Sequence, residues 1–211
     1  MFRKEYARNV QAVGRIDARK QRADVLMYGD SITAWNKPMD LSKLPGSRRW
    51  FTRHFGDLVS EPLGIPGDEI KHLYWRLAIG DELPRHEDPR HVILLIGIND
   101  VVHGVSEDDI VSRMDALVEF VVGRLPTSNI LLQLLLPSHR DVSRVNEGYR
   151  KVAEKHERVV VSTCLSELSR GSNEWRRLMV DELHPNEEGQ NRLLECLRRH
   201  VDAVSGECRL V

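Results

Sequence analysis

An α/β fold built on a mostly parallel sheet is predicted by three observations. Two apolar runs, His91 to Gly97 (HVILLIG) and Asn129 to Leu136 (NILLQLLL), lack the polar alternation of a half-solvated strand, so they read as strands buried on both faces. Between and after them, apolar residues recur at helical spacing: Ile110, Met114, Leu117 and Val121; Val145, Tyr149 and Val152; Leu193, Leu194, Leu197 and Val201. Strands that alternate with helices are joined by right-handed crossovers, which makes the strands parallel and gathers ligand-binding loops at their carboxyl ends.

The elements follow in order. Phe2, Tyr6, Val10 and Val13 predict an N-terminal helix within residues 1–22, packed on the body. A short strand, Asp24-Val25-Leu26-Met27-Tyr28, gives way to a turn at Gly29-Asp30-Ser31. A second strand is expected ahead of Gly64 to Asp68, and Leu83 to Pro89 reads as a surface loop leading to the third. Val159-Val160-Val161 is a shorter strand, and Pro185 and Asn186 open the last helix. No repeat, low-complexity tract or Pro/Gly linker divides the chain, so residues 1–211 are expected to form one domain.

Composition bounds the function. With 41% hydrophobic and 30% charged residues the chain is that of a soluble globular protein, able to bury a sizeable core. The formal net charge of −1 offers no global field for nucleic acid or anionic membrane. The basic clusters Arg15 to Arg22 and Arg198-Arg199-His200 read as solvated helix faces. No stretch approaches the roughly 20 apolar residues of a membrane span, and no signal-peptide run follows Arg3, Lys4 and Glu5. Cys164, Cys196 and Cys208 show no paired framework and no CxxC spacing, so neither a disulfide scaffold nor a thiolate zinc site is expected. A reducing, cytoplasmic location without integral membrane association is the resulting expectation.

Three loops after strands carry polar groups that acyl transfer requires: Ser31, Gly64 to Asp68, and Asn99. A serine at a strand-to-helix turn aims its hydroxyl out of the sheet, and nearby backbone amides can stabilise an oxyanion. Its hydroxyl needs a base to take the proton, and the base needs an orienting acid on its other nitrogen. Asp181-Glu182-Leu183-His184 supplies both within one short loop.

In the order Gly29-Asp30-Ser31, Gly67, Gly97-Ile98-Asn99-Asp100 and Asp181-x-x-His184, these segments resemble the four blocks of the SGNH/GDSL hydrolases. The resemblance spans nearly the whole chain. It implies a flavodoxin-like three-layer α/β/α sandwich and ester hydrolysis through serine and histidine. By position it makes Ser31 the nucleophile, Asp181 and His184 the acid and base, and the Ser31 and Gly67 amides with the Asn99 side chain the oxyanion donors. Asp30 would support the nucleophile turn. Gly64-Ile65-Pro66-Gly67-Asp68 with His72 and Trp75-Arg76-Leu77 is similar to the second block of the intracellular platelet-activating-factor acetylhydrolase catalytic subunits. Ile32, Pro66 and Pro62 depart from that pattern, which bears on substrate more than on mechanism.

The expected substrate is therefore a short acyl or acetyl ester, a lysolipid or an acetylated sugar, cleaved without a cofactor. An acyltransferase would use the same residues, and the fold could instead serve as a non-catalytic partner-binding subunit. The resemblance suggests a homodimer. A flavin-phosphate site is disfavoured because Ser31-Ile32-Thr33 is no Gly-rich phosphate cradle. Asp100-Val101-Val102-His103 is a rival Asp-x-x-His, but its loop leads into a helix start at Ser106. Asp181, His184 and His103 lack an HExxH or tight His cluster, so no metal site is assigned. Trp35 is the tryptophan placed to border a pocket; Trp50, Trp75 and Trp175 read as core or interface aromatics. His54, His72, His86, His91, His139, His156 and His200 read as surface or structural residues. Loops at 36–55, 100–106 and 138–143 are expected to shape substrate choice.

Overall fold

The computed structural model describes residues 2–37 and 48–206. Positions 38–47 of the expected pocket loop, Cys208 and the side chain of Phe2 lie outside the described residues. Five parallel strands form one sheet: β1 (Val25–Gly29), β2 (Ser60–Gly64), β3 (His91–Leu95), β4 (Asn129–Gln133) and β5 (Val159–Ser162), in the order β2-β1-β3-β4-β5. The described helices are α1 (Phe2–Ala18), α2 (Ser31–Ala34), α3 (Arg48–Phe55), α4 (Ile70–Ala78), α5 (Ile98–Val102), α6 (Glu107–Arg124), α7 (Ser143–Glu154), α8 (Asn173–Leu178) and α9 (Glu187–Val204). The expected three-layer α/β/α arrangement is what the chain adopts.

Strand periodicity divides the core into two layers. Leu26, Tyr28, Val92, Leu94, Ile130 and Leu132 face Val13 of α1, Leu73 of α4, Met114 and Leu117 of α6 and Tyr149 of α7. The alternate residues Val25, Met27, Ile93, Leu95 and Leu131 face Phe51 and Phe55 of α3 and Leu193, Leu194 and Leu197 of α9. Side chains on successive strand residues point to opposite faces, so each apolar run needs a helix layer on both sides. Full burial of one such side chain stabilises by about 1.5–3 kcal/mol. β2 (SEPLG) carries Pro62 and reads poorly as a strand. It is tolerated because β2 lies at the sheet edge, where a missing amide breaks no second ladder.

The strand order reverses direction between β1 and β3, which opens a crevice at their carboxyl ends. Ser31 follows β1 and Asn99 follows β3, so both flank it.

One expectation is corrected. Cys164, just beyond β5, is disulfide-bonded to Cys196 of α9, their Cα atoms 5.8 Å apart. The two are separated by 32 residues without a spacing motif. They meet only because α9 packs on the face of the sheet that Cys164 also covers. With that bond formed, cysteine usage no longer argues for a reducing compartment. Among the described residues no helix is long and apolar enough to cross a membrane.

Candidate active site

The nucleophile turn is built by Asp30. Its carboxylate Oδ1 accepts the Ile32 amide at 3.0 Å and caps α2, which leaves Ser31 at the first position of that turn. The first amides of a helical turn have no partner inside it, so the Ser31 N–H is left without an intrahelical acceptor. Asp30 is fully buried, and its Oδ2 has no hydrogen-bond partner among the described residues. Burial pushes this carboxyl up to about 7, against the pull of the Ile32 amide and with the added repulsion of Asp68.

Ser31 Oγ lies 2.9 Å from His184 Nε2, and His184 Nδ1 lies 2.8 Å from Asp181 Oδ2. With Nδ1–H donating to the carboxylate, Nε2 is left to accept the serine proton. The loop that carries these two residues is locked by Asp181 itself, whose Oδ1 accepts the amides of Leu183 at 2.7 Å and His184 at 2.6 Å. Burial raises the Asp181 carboxyl, but the His184 ring and those amides outweigh it and hold the group below the ordinary carboxylate range. A short antiparallel bridge between Met179 and Pro185 closes the loop, and Asn186 caps α9 by accepting the Gly189 amide. Gln190 Nε2 donates to Ile32 O at 3.1 Å, which ties α9 to the nucleophile turn. The Trp35 ring stacks on the His184 ring, centroids 4.6 Å apart and planes 19° from parallel.

On the opposite side, Gly67 has φ +84°, a left-handed conformation that costs glycine little and other residues much. Asn99 donates from Nδ2 to the carbonyl of Asp68 at 2.8 Å, and the amide's second hydrogen is left to point elsewhere. Asn99 sits in the first turn of α5, entered through Gly97 with φ +117°, where a Cβ would collide with the Tyr149 hydroxyl.

The rival pair does not assemble. Asp100 accepts the Ile70 amide at 2.9 Å and Arg113 Nη1 at 2.8 Å, whereas His103 Nδ1 faces Glu69 Oε1 at 3.1 Å on the surface. Among the described residues the group of three ligand-type side chains within reach of one point is Cys164, Cys196 and His200, and its sulfurs are joined to each other.

Sequence reasoning assigned no role to Arg76, which is fully buried and bonded to Asp68 and Glu82. Nor did it anticipate Lys37, buried against Asn9 and the Gly64 carbonyl. The local signal at Arg76 is a charged residue between Trp75 and Leu77 on an amphipathic helix, which is also how a snorkelling surface arginine looks.

Fold and site together define an α/β protein of the SGNH hydrolase architecture, with serine, histidine and aspartate side chains joined by hydrogen bonds near the switch point of a parallel sheet and Asn99 in the loop after β3. The model of the GDSL-like lipase/acylhydrolase family matches residues 27–192, and the chain belongs to that family. It is 25% identical over 138 residues to the platelet-activating factor acetylhydrolase IB subunit alpha1 of Bos taurus, covering 65% of this chain and 54% of that protein. The chain thus spans about half the length of the curated relatives it matches. It shares its fold with a psychrotrophic esterase from Pseudoalteromonas sp., TM-score 0.63 and 18% identity over 86% of this chain and 98% of the other. An acetylxylan esterase from Geobacillus stearothermophilus shares the fold as well, TM-score 0.63 and 18% identity over 85% and 94%.

Proposed function

We propose that this protein is a carboxylic ester hydrolase acting as one hydrolase domain, with Ser31 as nucleophile, His184 as general base and acid, and Asp181 as the group that orients the imidazole. The observation that carries the reading is the continuous relay of 2.9 Å from Ser31 Oγ to His184 Nε2 and 2.8 Å from His184 Nδ1 to Asp181, the spacing that proton transfer requires.

In the first half-reaction Ser31 Oγ bonds to the ester carbonyl carbon while its proton passes to His184 Nε2. The carbonyl oxygen becomes an oxyanion facing the Ser31 and Gly67 amides and the Asn99 side chain. Collapse breaks the bond to the alcohol oxygen, which leaves with the proton held by His184. Water then attacks the acyl-enzyme, gives its proton to His184 Nε2, and the acid departs as Oγ is reprotonated. Asp181 stays ionised throughout, consistent with its lowered carboxyl. The step sequence uses only side chains and backbone of this chain.

The substrate class we favour is a short acyl or acetyl ester, including a lysolipid or an acetylated sugar. Support comes from similar proteins named as a platelet-activating factor acetylhydrolase subunit and an acetylxylan esterase. The deciding experiment compares wild type with Ser31→Ala on p-nitrophenyl acetate and its longer acyl homologues, with both proteins shown to be folded by circular dichroism. Ser31→Ala should lower kcat on the order of a million-fold. A folded wild type as inactive as the variant on every ester would remove the hydrolase reading in favour of a binding subunit. Product transfer to added alcohol exceeding hydrolysis would reassign the same residues to an acyltransferase.

A further inference from the structure

We propose that Arg76 is a positioning residue for the oxyanion hole: its buried guanidinium holds the turn that carries Gly67 and Asp68, and through the Asp68 carbonyl it sets the direction of the Asn99 amide. The inference rests on the ester-hydrolase reading above and adds a component to it.

The contacts of Arg76 converge on the loops of the crevice. Nη1 donates to Asp68 Oδ2 at 2.6 Å and lies 3.4 Å from the carbonyl of Gly29, two residues ahead of Ser31. Nη2 donates to the carbonyl of Leu63, the last residue but one of β2, and to Glu82 Oε2 at 2.6 Å. Nε donates to the Glu82 carboxylate at 3.0 and 3.1 Å. One rigid group thus spans the ends of β1 and β2 and the turn that follows β2.

Asp68 links that group to the proposed oxyanion donors. Its side chain is held by Arg76, and its backbone carbonyl accepts Asn99 Nδ2 at 2.8 Å. Asp68 also follows Gly67 directly, so a rotation of this residue displaces two of the three donors together. That bond fixes the last torsion of Asn99, about which the planar amide otherwise turns, and so sets the direction of its second hydrogen.

The far side of the guanidinium is braced as well. Glu82 accepts Asn9 Nδ2 at 3.2 Å, and Asn9 Oδ1 accepts Lys37 Nζ at 2.5 Å. Lys37 Nζ donates to the Gly64 carbonyl at 2.5 Å and stands 3.5 Å from Glu5. The chain of contacts therefore runs from α1 to the end of β2, and Tyr28 adds a bond from its hydroxyl to the Glu82 carbonyl at 2.5 Å.

Stability alone is a poor account of this cluster. Buried ion pairs are commonly replaced by apolar side chains at no loss, because desolvation of the charges offsets their attraction. What a planar, five-donor fork supplies is fixed angles among several acceptors, and a lysine cannot reproduce them. Geometry fixed to a fraction of an ångström is what an oxyanion hole requires.

The test is a double-mutant cycle on kcat and kcat/KM for a p-nitrophenyl ester, using Arg76→Lys, Asn99→Ala and the pair, with Ser31→Ala and wild type alongside. Asn99→Ala alone should lower kcat about a hundred- to thousand-fold. Arg76→Lys should lower kcat and kcat/KM together, by roughly ten- to hundred-fold, with KM little changed. In the Asn99→Ala background the same substitution should cost distinctly less than in wild type, since one of the two donors it positions is gone and only the Gly67 amide remains to be displaced. Asp68→Asn keeps the backbone and side-chain size while removing the charge that Arg76 grips, and it carries the same cycle where Arg76→Lys does not fold. Equal fold-losses in both backgrounds, or an unchanged kcat, would overturn the positioning role while leaving the hydrolase reading intact. A fully active Ser31→Ala would instead bring down that reading and the inference with it.

Discussion

Asp30 shows how much a single buried carboxyl can weigh. Its Oδ1 caps the nucleophile turn while Oδ2 lacks a partner among the described residues, and burial lifts the group from 3.8 to about 7. Between those values the native state keeps a proton that the unfolded chain has released. Native stability from this group is therefore fully present below about pH 4 and is lost as the pH rises through about 7. Asp30→Asn keeps an oxygen for the Ile32 amide and removes the titration. Urea unfolding of both proteins from pH 4 to pH 8 should show the variant gaining on the wild type as pH rises. Parallel stability curves would show that Asp30 is not held protonated.

Among the elements, α9 has the most to connect. It begins just past the loop of Asp181 and His184, grips the nucleophile turn through Gln190, and is bonded to the end of β5 by the disulfide. Closing a loop of 32 residues restricts the unfolded chain, a stabilisation of about 3–4 kcal/mol in the chain-entropy account. Cys196→Ser should lower the urea midpoint accordingly, and dithiothreitol should do the same to the wild type and nothing further to the variant. A reductant-insensitive wild type would show that the thiols are unpaired in solution. The helix itself was legible because Leu193, Leu194, Leu197 and Val201 mark one face. Its bond to Cys164 was not, since nothing local distinguishes a cysteine that has a partner from one that has none.

Across the whole molecule the candidate site and the His91–Ser205 contact lie at opposite ends of the sheet. The candidate site occupies the carboxyl ends of β1, β2 and β3, while His91 opens β3 at the other end and meets Ser205 beyond α9, Nε2 to Oγ 2.8 Å. Burial lowers His91 from the ordinary imidazole range. Ser205→Ala removes that bond and the one from its hydroxyl to the Val201 carbonyl. It should cost about 0.5–1.5 kcal/mol of stability and leave kcat/KM for a small ester unchanged. A loss of activity without a loss of stability would show that the two ends are coupled.

Local pattern determined a good deal of this protein. Apolar runs mark β1, β3, β4 and β5, helical spacing marks α1, α6, α7 and α9, and the alternation of the two made the sheet parallel, because periodicity is a property of neighbours in the chain. It also pointed to Ser31, Gly64 to Asp68, Asn99, Asp181 and His184 from the loops they stand in, and the resemblance to the SGNH/GDSL blocks singled out Gly67 among them. Tertiary structure alone decided that β2 could carry Pro62 at an edge and that Asp100 and His103 turn to Arg113 and Glu69. The stacking of Trp35 on His184 and the joining of Cys164 to Cys196 were decided there too. It alone made Arg76 a buried bridge, since whether a charge is solvated or paired depends on groups as distant in sequence as Gly29, 47 residues away. Such partners are chosen by packing, and packing leaves no period in the sequence.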